Sequence, residues 1–379
     1  MTMQFSLNMQ RANHWLDVCR ALAIMLVLFS HGRRLLIPLV PEAQWLKFGG
    51  FLGVEIFFVL SGFLIGRILI AQSTAAATAY SWIGRFWTRR WLRTYPNYFL
   101  FLLINWFLLS TLRPAPDLEL WRYMTFTQNV LWPHSDFFGE AWSLAIEEIF
   151  YFVTPLLMLL VWLLVRKSQW TLLLTLALLL LGSLGMRIYV VLSDAGLSFN
   201  QVRSTALLRL DSIMIGVLVA WCYCRQGVWW QGLRRASPWL AALLIPVIII
   251  AAAPDLFMDN SQLLKVILFS LANLGAAGLI VMGFEWHVPN LLYTLVAFMA
   301  RWSYSAYLVN FPVVVLMAYW LPAPTGGCQS IGLWLVFMAL VWSLSALVYY
   351  GFERKVLSFR DQFFGEKKAA ISTKKQAHS

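Results

Sequence analysis

Of the 379 residues, 60% are hydrophobic and only 12% charged, and the mean hydropathy is +0.70; an ordinary globular domain is roughly a quarter charged, so a soluble domain is excluded and lipid is the main solvent. The 29 Lys and Arg exceed the 17 Asp and Glu by +12. In a soluble chain that excess would suggest nucleic acid, but here a bias of basic residues to one membrane side explains it, and no nucleic-acid partner is expected.

Apolar stretches fall near 14–32, 51–72, 95–113, 142–165, 170–192, 207–224, 239–253, 263–284, 303–321 and 330–351, each bounded by charge, Pro or Gly. They predict an all-α polytopic membrane helix bundle with about ten transmembrane helices. One membrane domain is expected over 1–355, followed by a disordered basic cytoplasmic tail at 356–379. The first stretch has no small-x-small cleavage site and runs into His31, Arg33 and Arg34, so it is read as a retained span rather than a leader. The seventh is the weakest, because Pro238, Pro246 and Pro254 shorten or kink it. With both termini cytoplasmic, 19 basic residues fall inside and seven outside, which satisfies the positive-inside rule. Short loops and compact spans suit a bacterial inner membrane. No internal repeat suggests the inverted halves of a transporter. Cys19, Cys222, Cys224 and Cys328 are scattered, and Cys222-x-Cys224 lacks the second pair that a zinc site needs, so neither a disulfide nor a metal is assigned.

Charge near the middle of a span costs about 3 kcal/mol or more, so intramembrane ionisable residues are functional candidates. The first span holds Asp17, Arg20 and His31. Arg20 and His31 are close to three full turns apart, on one face and roughly 16 Å distant. Either that face presents a cation and an imidazole to the bundle interior, or Asp17 and Arg20 are an interfacial ion pair and His31 marks the far boundary. Glu55, near the outer end of the second span, is either functional or a rim carboxylate partnered by Arg33 or Arg34; the glycines around it suit close helix packing. Arg85, Arg89, Arg90 and Arg93 alternate with Trp82, Phe86, Trp87 and Trp91. That pattern fits an amphipathic segment in the headgroup layer, anchoring to lipid or offering guanidiniums to phosphate. The fourth span opens with Glu140, Trp142, Ser143, Glu147, Glu148 and Tyr151. Adjacent carboxylates there lie about 100° apart, so one can pair with Arg while the other faces a cavity. Arg209, Asp211, Ser303, Tyr304, Tyr307, Asn310, Glu353 and Arg354 are individually ambiguous.

In order, LDVCRALAIMLVLFSH, GVEIFFVLSGFLI, FWTRRWLRTYPNY, WSLAIEEIFYF, LLRLDSIMIG and SYSAYLVNFP resemble the motifs of acyltransferase family 3, membrane proteins that transfer acyl groups, commonly acetyl, onto sugars and other hydroxyl-bearing acceptors. The resemblance spans nearly the whole chain. The family's Arg, ten residues, then His falls on Arg20 and His31, its Arg-x-x-Arg on Arg90 and Arg93, and its Trp-Ser-Leu with following acids on Trp142, Ser143, Glu147 and Glu148. Two departures stand out: Glu55 replaces a commoner Asp, and Asn310 stands where many relatives carry His. Asn cannot shuttle a proton near neutral pH, which makes His31 the chief candidate base.

The resemblance implies a cytoplasmic acyl-coenzyme A donor, commonly acetyl-CoA, with no bound cofactor, and a carbohydrate or lipid-linked acceptor in contact with membrane lipid. His31, Glu148 and Arg20 are then the catalytic candidates, with Glu148 orienting His31 or relaying its proton. Glu55, Trp142, Ser143, Glu147, Tyr304 and Asn310 are the substrate-binding candidates, and Arg89, Arg90 and Arg93 would bind the donor phosphates. His31 would deprotonate the acceptor hydroxyl or carry the acyl group itself. Some members of the family carry a further hydrolase-like domain; a stand-alone core is expected here, acting on O-antigen, exopolysaccharide, a glucan, a lipid-linked sugar or a secreted small molecule. The competing class is a transporter or flippase that uses the same buried charges to gate a polar substrate.

Overall fold

The computed structural model describes residues 2–75, 82–112, 119–132, 137–166, 168–194, 196–286, 289–321, 324 and 326–364, and among them it has helices and no strand. The long elements are α1 (Thr2–Leu36), α2 (Lys47–Ala75), α3 (Trp82–Leu112), α4 (Ala141–Val165), α5 (Ser168–Ser193) and α6 (Leu210–Arg225). They continue with α7 (Gly227–Ala242), α8 (Leu244–Ala252), α9 (Gln262–Met282), α10 (Asn290–Trp320), α11 (Gly327–Val348) and α12 (Arg354–Phe363).

Seven helical stretches among the described residues are long and apolar enough to cross a membrane: His14–Leu36, Pro41–Gln72, Ala141–Val165, Trp170–Ser193, Gly227–Ala252, Gln262–Met282 and Gly327–Phe363. The expected figure of about ten would also need α3, α6 and α10. Helix α6 has only 16 residues and is buried along most of its length; a helix wrapped by protein needs neither the roughly 20 residues nor the uniform apolarity that lipid demands. Helices α3 and α10 have 31 residues each, but Pro96 and Pro312 lie inside them, and their apolar runs are broken by Asn97, Asn105, Ser303, Ser305 and Asn310, all buried. The weak seventh stretch is longer than expected. Helices α7 and α8 run on with only Leu243 between them, so the candidate span begins at Gly227. Pro246 falls in the first turn of α8, where a missing N–H breaks no helical hydrogen bond.

The first residues of the tail expected from 356 are helical, in α12 through Phe363. Arg85 and Arg89 lie over the Phe364 ring at 5.4 Å each, and Arg85 Nη2 donates to the Phe364 carbonyl at 3.5 Å. These contacts dock the end of α12 on the basic start of α3. Residues 365–379 lie outside the described residues.

Small residues let the central helices meet backbone to backbone. A Cβ on Gly62 of α2 would lie 2.0 Å from the Ile213 carbonyl oxygen of α6, and one on Gly216 would lie 2.2 Å from the Val59 carbonyl oxygen. The same contact buries charge. Arg209 Nη2 donates to both oxygens of Glu55, at 2.6 and 2.7 Å, and to Ser212 Oγ at 3.0 Å. Arg187 pairs with Asp211 through bonds of 2.8 and 3.0 Å and also donates to Ser270 Oγ at 3.1 Å. These pairs tie α2, α5, α6 and α9 together. They account for the LLRLDSIMIG segment by packing.

Candidate active site

Along α3, Arg90 and Arg93 are three residues apart and share a face. With Arg85, Arg89, Gln72 and Arg360 they line an open basin of about 770 Å³. The guanidiniums of Arg89, Arg90 and Arg93 are therefore gathered at one place, and that of Arg360 joins them from α12. Arg90 and Arg93 also line a second, narrower cavity of about 120 Å³, together with Arg20, Ser61, Glu147, Tyr151 and Tyr304. Arg20 is held by Asp17 at 2.9 Å, and Asp17 accepts a further bond from Tyr293 Oη at 3.1 Å. Arg20 thus forms the ion pair and also lines the cavity. Glu147 accepts from Ser61 Oγ at 2.8 Å and from Tyr151 Oη at 3.0 Å. Tyr304 Oη donates to the Thr94 carbonyl at 2.7 Å, which fastens α10 to α3 beside the same cavity.

Three turns further along α1, His31 lines a third cavity of about 450 Å³. Its Nδ1 is hydrogen-bonded to Asn310 Oδ1. The Asn310 amide nitrogen donates to the Ala306 and Tyr307 carbonyls at 3.1 and 2.6 Å, so the amide oxygen is the end turned to the imidazole. That orientation makes Nδ1 the protonated nitrogen and leaves the lone pair on Nε2. The carboxylate beside His31 is Glu140, 3.6 Å from Nδ1. Glu140 is 2% exposed, and neither of its oxygens has a hydrogen-bond partner among the described residues. Arg203 lies over the Trp142 ring at 4.8 Å and lines the same cavity.

Tyr307 and Val54 line both the Arg20 cavity and the His31 cavity. Between them Tyr307 Oη and Ser143 Oγ share a 2.6 Å hydrogen bond. Trp142 lines the His31 side and Ser143 the Arg20 side, because neighbours on a helix diverge by about 100°. A single wall of side chains thus separates a basic entry from an imidazole.

Two expected placements change. Glu55 lines neither cavity and pairs with neither Arg33 nor Arg34; it is fully buried with Arg209, which is 154 residues away in sequence and invisible to local spacing. Glu148 bonds to Thr94 and sits beside Arg90. Two turns of α4, roughly 12 Å, separate its position from that of Glu140, and Glu140 is the acid at His31. Sequence reasoning reached Glu140 as a member of the acid cluster without choosing it; its place at the N-cap of α4, in the residues just before the Trp-Ser-Leu motif, was the available signal. Arg203 was also missed, having no motif of its own. Asn310, expected among the substrate-binding residues, contacts the imidazole. Among the described residues no group of three or more His, Cys, Asp or Glu is placed to hold a metal.

The chain matches the model of an acyltransferase domain, acyltransferase family 3, over residues 13–350. It is 32% identical over 231 residues to O-acetyltransferase OatA of Staphylococcus aureus (strain NCTC 8325 / PS 47), covering 55% of this chain and 34% of that protein. It is 32% identical over 195 residues to peptidoglycan O-acetyltransferase OatA of Listeria monocytogenes serovar 1/2a (strain ATCC BAA-679 / EGD-e), covering 46% of this chain and 29% of that one. The chain spans about a third of the length of these curated relatives. No solved structure matches it. With the family model matched from residue 13 to residue 350, the chain belongs to acyltransferase family 3.

Proposed function

We propose that this protein is a membrane-bound O-acyltransferase that moves an acyl group, in the first instance acetyl, from cytoplasmic acyl-CoA to a hydroxyl of a sugar, polysaccharide or lipid-linked glycan. The observation that carries the reading is that three cavities adjoin one another through shared lining residues. Arg90 and Arg93 belong to both the basin and the narrow cavity, and Tyr307 belongs to both the narrow cavity and the His31 cavity. Guanidiniums in the basin bind the donor phosphates by charge-assisted, forked hydrogen bonds. The pantetheine arm, a thin chain, lies in the narrow cavity, and its thioester reaches His31 past the Tyr307–Ser143 wall. The acceptor enters from the other end. Membership of the family and the O-acetyltransferase names of its relatives support the acyl group and the hydroxyl. The Listeria relative's name adds a glycan as the kind of acceptor. The distribution of basic residues favours an orientation with both termini cytoplasmic, and the short loops and compact spans favour a bacterial inner membrane.

In the reaction, His31 Nε2 takes the proton of the acceptor hydroxyl as its oxygen attacks the thioester carbonyl. A C–O bond forms, the C–S bond breaks, and the imidazolium returns its proton to the leaving thiolate to give free coenzyme A. Asn310 holds the ring in the tautomer that this requires, and the Glu140 carboxylate stabilises the imidazolium.

Membranes expressing the intact chain should transfer radiolabelled acetyl from acetyl-CoA into a glycan or lipid-linked fraction. The Arg93→Ala variant should raise KM for acetyl-CoA by about 10- to 100-fold with a smaller change in kcat, since a hydrogen bond to a charged group is worth about 1.5–3 kcal/mol. Unchanged KM in that variant would remove Arg93 from the donor site. No label above empty membranes, with the protein inserted and several acyl donors and acceptor extracts supplied, would favour transport instead.

A further inference from the structure

The His31 cavity carries charge that the acyl transfer itself does not use. Its walls hold four cationic side chains, Arg33, Arg34, Lys47 and Arg203, and two carboxylates, Glu140 and Asp255. Lys47 Nζ pairs with Asp255 at 2.8 Å, and Arg33 also feels the field of Asp255. Setting aside the Lys47–Asp255 pair leaves three guanidiniums against Glu140, which lies beside His31.

None of those three guanidiniums is in a salt bridge among the described residues: Asp255 acts on Arg33 and Glu55 on Arg203 only at longer range, and each of those carboxylates is already paired, with Lys47 and Arg209. Arg33 donates to the Ser30 carbonyl, and Arg203 Nη2 donates to the Gly50 carbonyl at 2.6 Å. A carbonyl satisfies an N–H but carries no formal charge. Arg203 Nε is buried without a partner, and no described residue bonds to Arg34. Neighbouring like charges in a half-buried cavity repel one another and favour the arrival of an anion. The chemical form matters as well: a guanidinium fork matches the two oxygens of a carboxylate or phosphate, and the Trp142 face at 4.8 Å helps fix the plane of Arg203. A neutral sugar would gain little from three such forks.

We propose that this cavity selects an anionic acceptor, a sugar bearing a carboxylate or phosphate that Arg33, Arg34 and Arg203 hold while a hydroxyl of the same molecule meets His31. The proposal rests on the acyltransferase reading for what happens to that hydroxyl, but the binding itself can be tested without turnover.

The test uses the full chain carrying His31→Ala, in nanodiscs of phosphatidylcholine, with thermal unfolding followed against glucose, glucuronic acid and glucose 6-phosphate. Glucuronic acid or glucose 6-phosphate should raise the midpoint in a saturable way while glucose leaves it unchanged. Adding Arg34→Gln, or Arg33→Gln and Arg34→Gln together, should weaken that binding at least fivefold. Arg235→Gln, on an exposed part of α7 outside all three cavities, should leave it unaltered. Equal shifts with glucose, no shift with any of the three sugars, or shifts that survive loss of both arginines would overturn the proposal. A phosphatidylglycerol disc that itself stabilises the chain through Arg34 and abolishes the sugar effect would make the cavity a lipid headgroup site, and would overturn it too. Acetyl transfer by the unaltered chain is measured separately, so either idea can fail while the other stands.

Discussion

Acetyl transfer should fall by about 10²- to 10⁴-fold in His31→Ala, the range that a positioned general base contributes, while insertion and folding stay intact. His31 is only partly buried and faces a cavity, so its removal leaves no polar group stranded in lipid. One hydrogen bond, to Asn310 Oδ1, is lost. Asn310→Leu separates base chemistry from orientation. It keeps the imidazole but deletes the acceptor that holds the proton on Nδ1, so the ring is free to take the other tautomer and turn its lone pair away from the substrate. That variant should lose about 10- to 100-fold in kcat with little change in KM for acetyl-CoA, because Arg89, Arg90 and Arg93, the arginines proposed to hold the donor, lie beyond the Tyr307 wall. Both values can be read from initial rates over a range of acetyl-CoA in membranes matched for protein content. Activity in His31→Ala within threefold of the parent would remove the imidazole from the mechanism, and an intact kcat in Asn310→Leu would remove the tautomer argument.

The second large effect concerns stability. Glu55→Gln or Arg209→Met should each destabilise the full chain by roughly 3–5 kcal/mol, since removing one member of a buried pair strands the other charge in a low dielectric. Glu55 and Arg209 are both 0% exposed. The guanidinium also lies 3.9 Å from the centre of the Phe269 ring, so water cannot easily replace the lost partner. Replacing both residues by Met removes both desolvation penalties and should restore most of the stability. Arg209 Nη1 also donates to the Arg203 carbonyl at 3.2 Å, so the single variants should loosen the wall that carries Arg203 into the His31 cavity. Thermal unfolding of the detergent-solubilised chain measures all three. A double variant no better than the singles would mean that the pair is needed for packing geometry beyond its charge balance, and a shift under about 1 kcal/mol in both singles would show that water reaches the site.

Lipid as the main solvent, helices as the only regular element among the described residues, and a shared face for Arg20 and His31 all follow from the sequence by itself. Apolar run length and the 3.6-residue period are local quantities, legible wherever the chain is written down. The clustering of Arg89, Arg90 and Arg93 is legible for the same reason, and so is the helix packing by Gly62, since a glycine in an apolar run announces a close approach before its neighbour is known. Tertiary structure decided which charges are spent on packing and which face a cavity. Glu55, a substrate-binding candidate with a rim carboxylate as the alternative, is matched by Arg209, and Glu140 rather than Glu148 stands at His31. Asn310, a substrate-binding candidate in the sequence, is hydrogen-bonded to the imidazole, and the Tyr307–Ser143 wall joins helices whose residues are 164 apart in sequence. Only seven spans are recognisable by length and apolarity among the described residues, for a related reason. Helices such as α6 are wrapped by other helices, so they do not need the length and apolarity by which a lipid-facing span is recognised. A carboxylate in a bundle takes whichever partner the packing brings within about 3 Å, and that choice depends on contacts between distant segments that no window of sequence contains.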